Sequence, residues 1–96
     1  MKLRFSRSSR NDLVSIGEWI AKDNLPRAAE HVFEIEDACK RLIDFPLTGE
    51  RIGRYNKQEV RRKVQGSHLV LYTIRQDTIF ILRVVHGAQD YQRFLD

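Results

Sequence analysis

The sequence predicts a two-layer α+β domain spanning residues 1–96. Its expected order is an N-terminal strand, an antiparallel helical hairpin and a three-stranded antiparallel meander. Three observations carry this. Apolar residues recur at helical spacing between Leu13 and Ile43, and after Glu59 that period gives way to short apolar runs that read as strands. Asn24-Leu25-Pro26 interrupts the helical part, and Pro is tolerated only in a helix's first turn. Gln65-Gly66-Ser67 and Arg75-Gln76-Asp77 are short enough to join antiparallel neighbours.

Each element follows in order. Lys2-Leu3-Arg4-Phe5-Ser6 alternates, with Leu3 and Phe5 inward. Ser9-x-x-Asp12 resembles a capping box and predicts a helix start at that point. Leu13, Ile16, Gly17 and Ile20 form its apolar stripe, and the helix should end near Asp23-Asn24. Gly17 costs about 1 kcal/mol in a helix interior, which close packing against a second helix would explain. The second helix carries Ala28, Val32, Ile35, Cys39, Leu42 and Ile43 on one face, with Ala29 and Phe33 beside it. Phe45-Pro46 stops it. Leu47 to Asn56 is polar and contains glycine, which predicts a loop. Strands are expected over 59–64, 67–75 and 78–86, then a terminal helical turn within 87–96. The helices should cover one sheet face and leave the other partly open, with Arg61, Lys63, Tyr72 and Arg83 as candidates for it.

Composition narrows the function. Hydrophobic residues make up 42% and charged residues 31%, a globular balance. The apolar run Ile79-Phe80-Ile81-Leu82 is far short of the ~20 residues a membrane span needs, so no membrane partner is expected. The basic N-terminus lacks an apolar h-region and predicts no secretory signal. The lone Cys39 fits a reducing cytoplasm and reads as a small core residue. No Cys/His set has metal-ligand spacing, and no metal or cofactor is expected. Gly49-x-x-x-Gly53 lacks the ending of a phosphate loop, and no nucleophile elbow or carboxylate pair stands out.

Charge is unevenly spread. Residues 1–11 carry +4, residues 12–50 carry −5 and residues 51–96 carry +5. A basic face for an anionic partner follows: nucleic acid, ribosome or an acidic protein segment. Its candidates near the sheet include Arg61, Arg62, Arg83, His86 and Arg93 with Tyr72 and Tyr91. Such a set could bind phosphates and stack on bases, or cleave RNA with His86 moving a proton. Equally, Arg61 and Arg62 suit ordinary strand positions, one facing solvent and one pairing with an acid.

An ordered set of motifs carries a resemblance. It runs through Ala21-x-Asp23-Asn24, Pro26-x-Ala28-Ala29 and Leu42-Ile43-Asp44-Phe45-Pro46-Leu47-x-Gly49. It continues through Val60-Arg61-Arg62, Leu71-Tyr72-x-Ile74 and Ile81-Leu82-Arg83-Val84-Val85-His86-Gly87-Ala88-Gln89-Asp90. With these, the chain resembles the RelE/ParE toxin superfamily of bacterial type II toxin–antitoxin modules, and the ParE branch most. The resemblance covers nearly the whole chain. It implies the same helical hairpin on an antiparallel sheet. It also implies a cognate antitoxin partner in a hetero-oligomer, whose acidic-amphipathic segment would meet the basic C-terminal half.

The branch decides the activity. ParE-like members are similar to inhibitors of DNA gyrase and are not hydrolases. RelE-like members cut mRNA on the ribosome with several Lys/Arg groups and a C-terminal Tyr or His. The ParE-like reading implies no catalytic residues and places target contact on Arg61, Arg62, Arg83, His86, Asp90, Tyr91, Arg93 and Phe94. The nuclease alternative would make Arg62, Arg83, His86 and Tyr91 catalytic, and an inert antitoxin-binding relative is the third reading.

Overall fold

Ser6 ends the first strand and begins the first helix. Its Oγ accepts from the Ser9 amide at 2.9 Å and donates to the Leu82 carbonyl at 2.7 Å, so one side chain caps the helix and ties it to the last strand. The computed structural model describes residues 1–87 and 89–96; Ala88, in the expected terminal turn, lies outside them. The elements are β1 (Lys2–Phe5), α1 (Arg7–Ala21), α2 (Leu25–Arg41), β2 (Glu50–Tyr55), β3 (Gln58–Gln65), β4 (His68–Arg75), β5 (Thr78–His86) and a 3-10 turn (Tyr91–Phe94). Among the described residues no helix is long and apolar enough to cross a membrane.

The helix start is a correction. The Ser9-x-x-Asp12 pattern caps nothing: Ser9 lies buried inside the first turn, three residues past the cap Ser6, and Asp12 is drawn to Arg83 instead. Asn24 does cap α2, its side chain accepting from the Arg27 amide at 3.1 Å, with Pro26 in the first turn. Gly17 sits where an added Cβ would lie 3.4 Å from Val32 Cγ2, which agrees with close helix contact. Ile35, Cys39 and Leu42 are essentially fully buried, whereas Phe33 is 65% exposed and lies off the packed face.

The sheet has five strands in the order β1-β5-β4-β3-β2. β1 runs parallel to β5, and the other pairs are antiparallel. β2 is a second correction, because residues 50–55 were expected to be loop. This edge strand is exposed except at Ile52, and a bulge lies between Arg51 and Gly53, so it shows no alternation.

Two apolar clusters flank the sheet. Beneath the helices, Leu13, Ile35, Cys39 and Leu42 meet Val70, Tyr72, Ile79 and Ile81. On the other face, Val60, Leu69, Leu71 and Val85 are covered by Tyr91, Phe94 and Leu95 from the C-terminal tail. That face is therefore partly closed by the chain itself. Tyr72 belongs to the helix side and is fully buried, contrary to its placement among the open-face candidates. Arg61 and Lys63 pair across the ladder with Tyr72 and Val70, so they too lie on the helix side. Cys39 is buried, and burial pushes its thiol up to about 12.

Candidate target-binding face

The β4–β5 bulge determines where Arg83 points. Leu71 pairs with Arg83 and Tyr72 with Ile81, leaving Leu82 extra. Strict alternation would put Arg83 beside Ile81 under the helices. The bulge instead aligns it with Leu82 on the tail side. There Arg83 Nε and Nη2 donate to the two Asp12 oxygens, both at 2.8 Å. Asp12 Oδ2 also accepts from the Val84 amide at 2.9 Å. This bidentate hydrogen bonding to Asp12 holds the Arg83 pKa above its usual range.

Arg62, one row away, pairs with Leu71 on the same face. Its Nη2 donates to Glu50 Oε2 at 2.8 Å, and its guanidinium lies 5.4 Å from the Tyr91 ring centroid. The tail continues the pattern. The Phe94 ring takes Arg83 at 4.4 Å and Arg93 at 4.9 Å. Asp90 caps the 3-10 turn by accepting from the Gln92 amide at 3.0 Å. Asp96 anchors the end, its amide donating to the Arg54 carbonyl at 2.7 Å. Between tail and sheet lies a cavity of about 420 Å³ bordered by Ser8, Tyr55, Leu82, Arg83, Arg93 and Phe94.

The structure thus brings together Arg62, Arg83, Tyr91, Arg93 and Phe94 on one face, with Asp90 at its root. Arg61 is not among them. Its Nη1 donates to the Gly49 carbonyl at 2.7 Å and its Nη2 lies 3.3 Å from Glu59, so it braces the loop before β2. Lys63 does the same through Thr48 Oγ1 at 3.2 Å.

His86 sits at the far end of β5 in a cluster that sequence spacing concealed. Its ring lies edge-on to His68, with centroids 5.5 Å apart. His68 in turn shares a hydrogen bond with His31 of α2, Nδ1 to Nε2 at 3.2 Å. One of those two nitrogens must carry the proton and the other must be bare. The signal was only that the chain's three histidines fall at the middle of α2, the start of β4 and the end of β5. Burial first, then the neighbouring His31 and His86, hold His68 below its ordinary 6.5. A depressed histidine favours the fold when neutral. Its contribution is complete above 6.5 and is lost as pH falls through the lowered value. Urea midpoints are expected to decline between pH 7.5 and 5, and His68→Gln should flatten that decline. An equally steep profile in the variant would refute the assignment.

Among the described residues no group of three or more His, Cys, Asp or Glu is arranged to hold a metal ion. What the tail face offers is recognition chemistry: planar guanidiniums stacked on aromatic rings over an apolar floor.

No curated protein matches the chain significantly in sequence. Among solved structures, the chain is similar to a chromosomal ParDE toxin–antitoxin system from P. aeruginosa, with a TM-score of 0.75 and 23% identity over 90% of this chain and 95% of that one. It is also similar to an archaeal RelE–RelB complex from Pyrococcus horikoshii OT3, with a TM-score of 0.66 and 16% identity over 93% and 97%. These likenesses establish the fold. Residues 3–91 match the family described as the ParE toxin of the type II toxin–antitoxin system parDE. The chain therefore belongs to the ParE toxin family.

Proposed function

We propose that this chain is a cytoplasmic toxin that inhibits DNA gyrase by binding it, and that a cognate antitoxin neutralises the toxin by binding in turn. Family membership along residues 3–91 supports the toxin role. The observation that favours inhibition over RNA cleavage is the pairing of the would-be nuclease cations. Arg62 is held by Glu50 and Arg83 by Asp12, so neither presents an uncompensated charge to a phosphate. His86 and Tyr91 also belong to different clusters, one with His68 and one with Arg62. Nothing in that arrangement sets an acid and a base about one scissile bond. The similar solved structures are described as a toxin–antitoxin system and a RelE–RelB complex, which supports a protein partner here as well.

The test is pulse labelling after induction of the chain alone in bacterial cells, with a purified gyrase cleavage assay beside it. DNA synthesis should fall first while translation continues, and cleaved complexes should accumulate. Translation falling first would replace this reading with the nuclease one. The tail's part can be tested without stripping its apolar cover. Arg93 is exposed, and Arg93→Glu is expected to weaken gyrase inhibition about tenfold, as loss of an arginine anchor does. Inhibition at the parental level would remove the tail from the interface.

A further inference from the structure

The arginines that the sequence singles out are largely neutralised within the protein: Arg61 faces Glu59, Arg62 faces Glu50 and Arg83 faces Asp12. Solvent-facing positive charge lies elsewhere. Lys2 and Arg4 on β1 and Arg75 at the end of β4 are exposed. Among the described residues these three make no ion pair with a carboxylate. Asp77, in the adjoining turn, is 81% exposed and lies 3.9 Å from the amino terminus.

Sheet register puts the three cations on one face. Lys2 pairs with Thr78 and Arg4 with Phe80 across the parallel ladder. Thr78 pairs in turn with Arg75, and Phe80 with Thr73. Phe80 and Arg75 share a depression of about 150 Å³ with Tyr55, Gln58 and Thr73. This is the face away from the helices, beyond the cluster of Leu69, Leu71 and Val85 on which the tail packs, with the tail's last residue, Asp96, accepting from the Asn56 amide at its rim. Strands are spaced ~4.8 Å apart and alternate residues ~6.8 Å, so the cations ring Phe80 at roughly 7–12 Å from one another. Tyr55, 48% exposed, closes the far side of the depression.

Positive charges around solvent-accessible rings on a flat sheet match one kind of partner. Phosphates take the cations, and unpaired bases stack on the rings. A duplex hides its base faces, and a purely acidic peptide has no planar group to stack on the rings. We infer that this end of the sheet binds single-stranded nucleic acid, with phosphates on Lys2, Arg4 and Arg75 and a base against Phe80 and Tyr55. The surface adjoins the tail face, with Tyr55 bordering both, but it does not depend on the gyrase reading.

The test is fluorescence anisotropy of the full chain with fluorescein-labelled dT12 and rU12, from 50 to 200 mM salt and without gyrase. Binding is expected with Kd of about 10⁻⁶ to 10⁻⁴ M, and a slope of log K against log salt near −2, about −0.7 for each of three phosphates. Arg4→Ala and Arg75→Ala should each lower that slope by about 0.7. Tyr55→Ala should weaken binding about tenfold, within the range for a lost base stack. These side chains are exposed or half-exposed, and unchanged circular dichroism will show that the variants fold. The tighter of the two oligonucleotides identifies DNA or RNA as the partner. The inference is overturned by no binding at about 1 mM protein, or by variants that bind like the parent. It is equally overturned by a 12-bp duplex or a glutamate dodecapeptide that binds as tightly as the single strands.

Discussion

Replacing Tyr72 with alanine is expected to leave the chain largely unfolded at 37 °C. The side chain is fully buried in the cluster beneath the helices. Its hydroxyl donates to the Pro46 carbonyl at 2.7 Å and accepts from the Gly49 amide at 2.9 Å, so it pins the α2–β2 loop to the sheet. Removing a buried aromatic ring costs about 3–5 kcal/mol, and an orphaned buried amide adds about 1–3. A domain of this size holds only about 5–14 kcal/mol in total. Tyr72→Phe keeps the ring and should cost about 1–3 kcal/mol, visible as a lower urea midpoint. Gly49→Ala offers an independent check. A Cβ there would lie 2.6 Å from the Tyr72 hydroxyl and 2.8 Å from the Arg62 carbonyl, so the backbone must move. A Tyr72→Ala protein that melts within a few degrees of the parent would refute this account.

Asp12→Ala carries the second largest effect. The carboxylate accepts three N–H groups, two from Arg83 and one from Val84. Breaking a buried pair by removing one partner costs about 3–5 kcal/mol. Here the Arg83 side chain is 32% exposed, so water recovers part of that, and about 2–3 kcal/mol is expected. The loss should also reach the tail, because the same guanidinium covers Phe94. A double-mutant cycle separates pair from packing. Asp12→Leu with Arg83→Met removes both charges and should be less damaging than Asp12→Ala alone. Strictly additive midpoints would mean that the pair contributes nothing of its own.

The parts of the fold legible in sequence were those whose pattern is local. The apolar stripe of α2, its Asn24 cap and the near-continuous apolar runs of β4 and β5 could be read directly. β2 could not, because an exposed edge strand with one partly buried residue carries no period. The cap of α1 was misread for a different reason: Asp12 has the right spacing for a capping box, but Arg83, 71 residues away, takes the carboxylate. The candidate site divided in the same way. Residues 61–63 look like one basic run, yet strand alternation sends Arg62 to the tail face and its neighbours to the loop beneath the helices. Arg83 could be placed only with the bulge in hand. Lys2, Arg4, Arg75 and Phe80 went unnoticed as a group because they come from three strands, and only the parallel β1–β5 register assembles them.

That parallel pairing also sets when the protein can fold. β5 is the last strand made, and it is the one that joins β1 to the rest of the sheet. Ser6 likewise reaches its Leu82 partner across 76 residues. Contacts of such sequence separation close late and slowly, since the loop entropy is lost before the pairing compensates. At 5–20 residues per second the ribosome needs about 4–16 s to go from β1 to the end of β5. Through most of that time the helical hairpin exists without its full sheet, and the tail has no β5 to lie on. The recognition face is thus assembled only once β5 and the residues after it have been made, and a nascent chain that stops before Thr78 never displays it.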